Sequence, residues 1–317
     1  MTRVVVTDHA FGDVTGEAAV AERHGAEFGV HQCRTEEETV EAVRGADVAF
    51  VNFAPTTRAV LSAMADGASV IRYGIGYDNV DVAAATELGI TVANVPDYGV
   101  DTVADHTVAC LLTLLRRLTR FDRAVHRDGW CAPRDLGSVP GFADTTIGLV
   151  GLGQIGFAVA ERLAPFGFSV LAHDPYADAD AAAAHGVRLS ALDELLGAAD
   201  AVSLHAPLTA ETSKLLDAAA FQRMRTGAFL VNTSRGGLVD QDALADAVAS
   251  GKIAGAALDV FDPEPLAEDS RLRELPEVLL TPHAAFFSDS SLAALQRLAA
   301  EEADRALSGT PLRCPVR

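Results

Sequence analysis

Two groups of residues have types and spacings that could do chemistry. In the first, Thr146–Val150 reads as a strand and runs into Gly151-Leu-Gly153-Gln-Ile-Gly156, after which a helical pattern begins. Glycines at that spacing permit a tight turn and let the main chain approach a pyrophosphate, whose charge rests on the helix N-terminus. The next strand, Val170–His173, ends in Asp174, 23 residues past Gly151. A carboxylate there suits ribose hydroxyls and repels a 2′-phosphate. Pro175-Tyr176 offers no cation to receive such a phosphate, so the pattern predicts NAD and disfavours NADP.

The second group is Arg235, Glu264 and His283. Arg235 follows the apolar strand Ala228–Val231 in Asn232-Thr-Ser-Arg-Gly-Gly, Glu264 lies in Asp262-Pro-Glu-Pro after the strand Ala256–Val260, and His283 lies in Thr281-Pro-His after Val278–Leu280. All three fall at or just past strand C-terminal ends, the side on which open α/β sheets bind ligands. An arginine fixes a carboxylate and polarises a carbonyl, a histidine passes a proton, and a carboxylate orients the imidazole. Singly, each residue also fits a structural role: His283 as a satisfied strand-end histidine, Glu264 as a solvated turn residue between two prolines.

The elements that must hold these groups alternate along the whole chain. Val4–Thr7, Val48–Val51, Val70–Tyr73 and Thr91–Ala93 read as strands, with helical patterns over Thr15–Gly25, Thr35–Gly45, Thr57–Met64 and Val80–Leu88. A second alternating series runs from Ile147 to Thr281, and Ser290–Ala306 is a last helix. Alternation of this kind implies parallel sheets with covering helices. Between the two series, Val103, Thr107, Leu111, Leu114, Leu118, Phe121 and Val125 recur at steps of three and four. That spacing predicts one helix over 101–127, roughly 37 Å long at 1.5 Å per residue, serving as a long core helix, an interdomain crossing or a dimer contact. Thr102 followed by Asp105 resembles a capping box at its start.

The chain has 317 residues, 49% of them hydrophobic, which is enough for two domains with separate cores. Its 44 acidic and 25 basic residues give a formal net charge of −19, unsuited to nucleic acid or an anionic membrane. The longest apolar run, near Val108–Leu115, is cut by Arg116 and Arg117 short of the ~20 residues a membrane span needs. The opening MTRVVVTDHA reads as a first strand and not as a signal peptide. Cys33, Cys110, Cys131 and Cys314 form no CxxC pair, which fits reduced thiols in a cytoplasmic protein and gives no metal site.

The sequence resembles the D-isomer-specific 2-hydroxyacid dehydrogenase family. The matching stretches are RYGIGYDNVD (72–81), GITVANVPDYGVDTVADHT (89–107), GLVGLGQIG (148–156), AHDPY (172–176), SLHAPLTAET (203–212), LVNTSRGGLVDQDAL (230–244), GAALDVFDPEPL (255–266) and TPHAA (281–285), in family order through nearly the whole chain. Arg72 and the run after His283 resemble the branch that holds the C-terminal-binding-protein corepressors and their bacterial relatives.

The resemblance implies two Rossmann-like, doubly wound parallel-sheet domains. An NAD-binding domain, 99–284, is inserted into a flavodoxin-like substrate domain, 1–98 plus 285–317, and the domains close on the cofactor. It implies a homodimer joined through the NAD-binding domain and helix 101–127. It implies that Arg235 holds the substrate carboxylate and carbonyl, that His283 is the general acid/base and that Glu264 is its paired carboxylate. Gly74, Ile75 and Gly76 would receive the substrate carboxylate on their amides, Arg72 would reach it, and Tyr73 and Phe286 would line the pocket with Phe53 and Tyr98. Besides Gly151, Gly153 and Gly156, cofactor contacts would come from Thr102, Gln154, Ile155, Asp174, Ala206, Pro207, Thr212, Thr233, Ser234, Arg235, Asp259 (at the carboxamide) and His283. The expected reaction passes a hydride between nicotinamide and a D-2-hydroxy acid/2-oxo acid pair. Two other readings use the same residues: oxidation of a phosphorus acid such as phosphite or hydroxymethylphosphonate, and an NAD(H)-sensing binding protein with little turnover.

Overall fold

Short runs of Val, Ile, Leu and Ala form parallel strands buried on both faces, because covering helices leave neither face to water. The computed structural model describes residues 1–316, with Leu136 in its main chain only. In chain order the strands are β1 (Arg3–Val6), β2 (Glu27–Val30), β3 (Val48–Val51), β4 (Ser69–Arg72), β5 (Thr91–Ala93), β6 (Thr146–Val150), β7 (Ser169–His173), β8 (Val187–Leu189), β9 (Ala201–Leu204), β10 (Ala228–Asn232), β11 (Ile253–Leu258), β12 (Val278–Leu280) and β13 (Pro315–Val316). The chain divides into two compact units, Met1–Gly99 with the stretch from Phe287 onward, and Val100–Phe286.

The first unit's sheet has the order β13-β5-β4-β3-β1-β2. Its pairs are parallel except at β13, which lies antiparallel on β5. Without that edge the order 2-1-3-4-5 is the flavodoxin-like doubly wound one, and it reverses between β1 and β3. The helix Asp289–Leu307 opens on a Ser288 capping box and buries Leu295, Ala299 and Ala303 against Val4, Val6, Phe50, Ile71 and Tyr73. The second unit's sheet has the order β12-β11-β10-β9-β6-β7-β8, parallel throughout, and reverses between β6 and β9. The helices Val100–Leu115 and Gln154–Leu163 share one of its two cores, and Gln241–Ala249 lies in the other.

The helix expected over 101–127 is two helices, Val100–Leu115 and Leu118–Asp128. Arg117 stands between them in the left-handed region at φ +53°. Its guanidinium lies 5.5 Å from the centre of the Phe229 ring and its Nε donates to the Ser138 carbonyl, contacts that hold the break open. Val103, Thr107, Leu111 and Leu114 are buried as the spacing requires, whereas Leu118 and Val125 are 53% and 41% exposed. The capping box is not formed, since the helix begins at Val100 and Thr102 lies inside its first turn. Asp105 instead meets Arg162 at 2.6 Å, beside Asp101 at 2.8 Å.

Candidate active site

The glycine turn after β6 is sterically obligatory. Gly151 has φ +95°, and a Cβ there would lie 2.6 Å from the Ala206 nitrogen. A Cβ on Gly156 would lie 2.5 Å from the Gly151 carbonyl oxygen, while one on Gly153 would meet nothing within 4 Å. Gly153 caps the helix Gln154–Leu163 with no side-chain hydrogen bond, so the first-turn amides at Gln154 and Ile155 have no side-chain cap. Asp174 stands at the end of β7, its Oδ2 accepting from the Leu152 amide and its Oδ1 from the Tyr176 amide, both at 2.8 Å. These two bonds fix the carboxylate beside the glycine turn. An open cradle with an uncapped helix N-terminus and a fixed carboxylate fits a dinucleotide.

The loops after β9 and β10 face the same end of the sheet. Ala206 is buried and Pro207 exposed, and Thr212 closes their loop by donating to the Pro207 carbonyl at 2.6 Å. Ser234 donates to the Ala206 carbonyl at 2.7 Å, and Thr233 meets Thr107 at 2.7 Å. Asn232 staples the Arg235 turn, its amide donating to the Arg235 carbonyl at 2.8 Å and its oxygen accepting from the Ser234 amide at 3.1 Å. The Arg235 guanidinium donates to the Ser234 carbonyl at 2.8 Å. A Cβ on Gly236 would overlap the Phe261 main chain at 2.0 Å, so glycine there lets the β10 loop lie on the β11 loop that carries Glu264.

His283 Nδ1 faces Glu264 Oε2 at 2.8 Å, and Glu264 Oε1 accepts from the Phe261 amide at 2.9 Å. Burial pushes the Glu264 carboxyl up, but the His283 hydrogen bond and charge, the Phe261 amide and the Arg235 charge together leave it below its ordinary range. His283 stands at φ +52°. Beneath it Asp259, 1% exposed, accepts from the Thr281 hydroxyl at 2.5 Å and from the Ala284 and Ala285 amides at 2.8 and 2.9 Å. The His283 amide donates to the Asp259 carbonyl at 2.7 Å. Asp259 thus clamps the turn that carries His283, a role its position in the sequence did not signal. The Phe286 ring stands edge-on to His283 at 6.2 Å. His106, also outside the expected set, lies 3.4 Å from the Thr281 hydroxyl. His205 is likewise outside the expected set; its Nε2 lies 3.0 Å from the Ser203 hydroxyl, and although it is partly accessible by surface area, the protein atoms around it lower its imidazole pKa to about 4. Its place one residue past β9 was the available signal.

In the first unit, the loop Arg72–Gly76 leaves β4 with its carbonyls engaged. The Tyr73 carbonyl accepts from the Arg72 guanidinium, the Gly74 carbonyl from the Val95 amide at 3.0 Å, and the Ile75 carbonyl from the Asn94 side chain at 2.7 Å. In a trans peptide the N–H points opposite to the C=O, so the amides of Gly74, Ile75 and Gly76 turn away from those partners. Arg72 is 8% exposed and curls over Gly74, where a Cβ would lie 2.0 Å from its Nη1. The expectation for the Tyr73 side chain is corrected. It is 1% exposed, packed in the core against Phe11 and Phe50 with its hydroxyl on Glu17, because strand alternation turns it to the helix-covered face.

A doubly wound sheet with a glycine turn, a carboxylate fixed beside that turn and a His–Glu pair along its carboxyl edge defines a Rossmann-type dinucleotide fold. Residues 108–285 match the model described as D-isomer specific 2-hydroxyacid dehydrogenase, NAD binding domain, and the chain belongs to that family. The second unit is its NAD-binding domain. D-3-phosphoglycerate dehydrogenase of Mycobacterium bovis is 42% identical over 248 residues, 78% of this chain and 46% of that protein. The chain therefore spans about half the length of such curated relatives. Among solved structures, apo D-lactate dehydrogenase from Escherichia coli is 31% identical with a TM-score of 0.80, covering 100% of both chains. D-lactate dehydrogenase from Aquifex aeolicus, complexed with NAD and lactic acid, is 28% identical with a TM-score of 0.87, covering 96% of both.

Proposed function

We propose that this chain is an NAD-dependent dehydrogenase that interconverts a D-2-hydroxy acid and its 2-oxo acid, with Arg235, Glu264 and His283 as its catalytic residues. The observation that carries this reading is the 2.8 Å His283–Glu264 pair on the same sheet edge as the glycine turn. Bound NADH supplies the hydride for C2 of the oxo acid. Glu264 holds His283 by Nδ1, which leaves Nε2 to keep a proton and give it to the oxygen being reduced. Arg235 clamps the carboxylate and stabilises charge as it develops on that oxygen.

The cofactor contacts proposed are those expected from the sequence, with Asp174 at the adenosine ribose and NADP disfavoured. Asp259 would meet the carboxamide from the buried position in which it clamps the turn. The first unit is proposed as the substrate domain, with the amides of Gly74, Ile75 and Gly76 receiving the substrate carboxylate and Arg72 bracing that loop. A homodimer and a reduced cytoplasmic setting belong to the same proposal. The latter is supported by Cys33, Cys110, Cys131 and Cys314 all being free thiols.

The test is NADH consumption across glyoxylate, hydroxypyruvate, its phosphorylated form, pyruvate and branched and aromatic oxo acids, with NADPH in parallel. Turnover of at least one oxo acid with NADH, giving the D product and at least tenfold faster than with NADPH, is expected. Tight NADH binding with no turnover, or turnover only of phosphite or hydroxymethylphosphonate with NAD, would overturn the proposal.

A further inference from the structure

Beneath the Arg72–Gly76 loop, in the core of the first unit, lies a polar pair that the chemistry above does not use. Glu17, on the helix Thr15–Arg23, is 0% exposed. Its Oε1 accepts from the Tyr73 hydroxyl at 2.8 Å, and among the described residues its Oε2 has no hydrogen-bond partner. Burial pushes the Glu17 carboxyl up and the Tyr73 phenol well above its usual value. Asp13 and His9 are the charged neighbours that act on Glu17 besides the phenol. A carboxyl kept in an apolar core with one oxygen unpartnered is destabilising, and an apolar residue of similar size would relieve it. Its presence therefore calls for a role beyond packing.

Tyr73 is where that role can act. Its ring is fixed edge-on to Phe11 at 4.8 Å and stacked on Phe50 at 5.4 Å. Its amide donates to Val51 at 2.8 Å, and its carbonyl takes the Arg72 guanidinium. The next peptides, through Gly74 and Ile75, are those whose amides turn away from the groups that hold their carbonyls. The phenol–carboxyl bond adds a directional anchor at the far end of a ring otherwise held by apolar contacts. We propose that Glu17 and Tyr73 are a buried positioning pair that aims the Gly74–Gly76 amides and so sets the affinity for the substrate carboxylate. This rests on the carboxylate-receiving role proposed for the loop.

The test compares wild type with Tyr73→Phe, Glu17→Leu and Glu17→Gln, the last of which keeps an oxygen for the phenol. Tyr73→Phe and Glu17→Leu are expected to raise the oxo-acid KM about fivefold, the worth of one ordinary hydrogen bond, with kcat and NADH affinity within about twofold. Hydrogen exchange at the Val95 amide, which donates to the Gly74 carbonyl, should speed up in both, and Glu17→Gln should restore wild-type KM and exchange. An unchanged KM and unchanged exchange in Tyr73→Phe, whatever its melting temperature, would overturn the proposal. So would a parallel loss of kcat and NADH affinity. If wild type turns over no oxo acid, the functional reading fails, and exchange at the Val95 amide alone still decides whether the pair positions the loop.

Discussion

His283 adopts a left-handed backbone at φ +52°, which costs a residue with a Cβ about 1–2 kcal/mol. Asp259 offsets this by holding Thr281, Ala284 and Ala285 on one carboxylate. Asp259→Asn turns one acceptor into a donor facing donors. It should lower kcat roughly 10–100-fold, on the scale of a misplaced catalytic group, and lower the melting temperature as well. Steady-state kinetics and thermal unfolding check this, and unchanged values in both would remove the clamp from the account. Glu264 supplies a pH prediction. Its folded pKa is depressed, so the pair's contribution is complete above the unfolded carboxylate value of about 4.3 and is lost only as pH falls through the folded value. The Glu264 carboxylate should therefore stay ionised from pH 7 to pH 5.5, and a Glu264 carboxyl carbon resonance that titrates inside that range would contradict it. At this scale the glycine turn, Asp174 and the strand-end Arg, Glu and His were legible, because steric and charge demands restrict those positions to few residue types. Asp259 and Tyr73 were not. Which groups a buried carboxylate accepts from, and which face of a sheet an aromatic ring enters, depend on neighbours distant in sequence.

The elements repeat the lesson in backbone terms. Amphipathic spacing ran unbroken through Arg116-Arg117, yet the helix stops there, since periodicity reports side-chain faces and carries no sign of a single left-handed residue. Arg117→Ala keeps the left-handed cost and loses the contacts on Phe229 and Ser138, so it should destabilise by about 1–2 kcal/mol, or a few degrees in melting temperature. Arg117→Gly relieves the backbone cost and should stay closer to wild type, and an alanine variant as stable as wild type would contradict this. The strand Glu27–Val30 gave little pattern because it is a partly exposed edge, and Ala179–Ala184 because a run of alanines has no apolar face to repeat. His205, at the end of β9, makes a stability prediction. With a folded pKa of about 4 and an unfolded value of about 6.5, the unfolded chain binds the proton first. Stability should fall as pH drops from about 6.5 toward 4, by an amount on the order of 1 kcal/mol at pH 5 given the ring's partial exposure. Urea midpoints at pH 7 and pH 5 should show a larger loss in wild type than in His205→Gln; equal losses would show that the ring is already hydrated.

For the whole chain, the net charge of −19 disfavours nucleic acid, and among the described residues no helix is long and apolar enough to cross a membrane. The proposed homodimer draws support from Leu118, Val125 and Trp130, exposed apolar side chains on and just past the second half of the broken helix. Sedimentation at micromolar concentration should give twice the chain mass, and a monomer there would contradict the dimer. The two parallel sheets with covering helices were readable in advance from the alternation of short apolar runs and helical patterns, whereas the antiparallel strand Pro315–Val316 was too short to leave a pattern. The most direct test of the central claim compares kcat of wild type and His283→Ala with NADH and the best oxo acid, alongside NADH affinity. The account predicts a kcat at least ~100-fold lower in the variant with NADH binding retained within a few-fold. An unchanged kcat would remove His283 from the chemistry and contradict the dehydrogenase mechanism proposed for this chain.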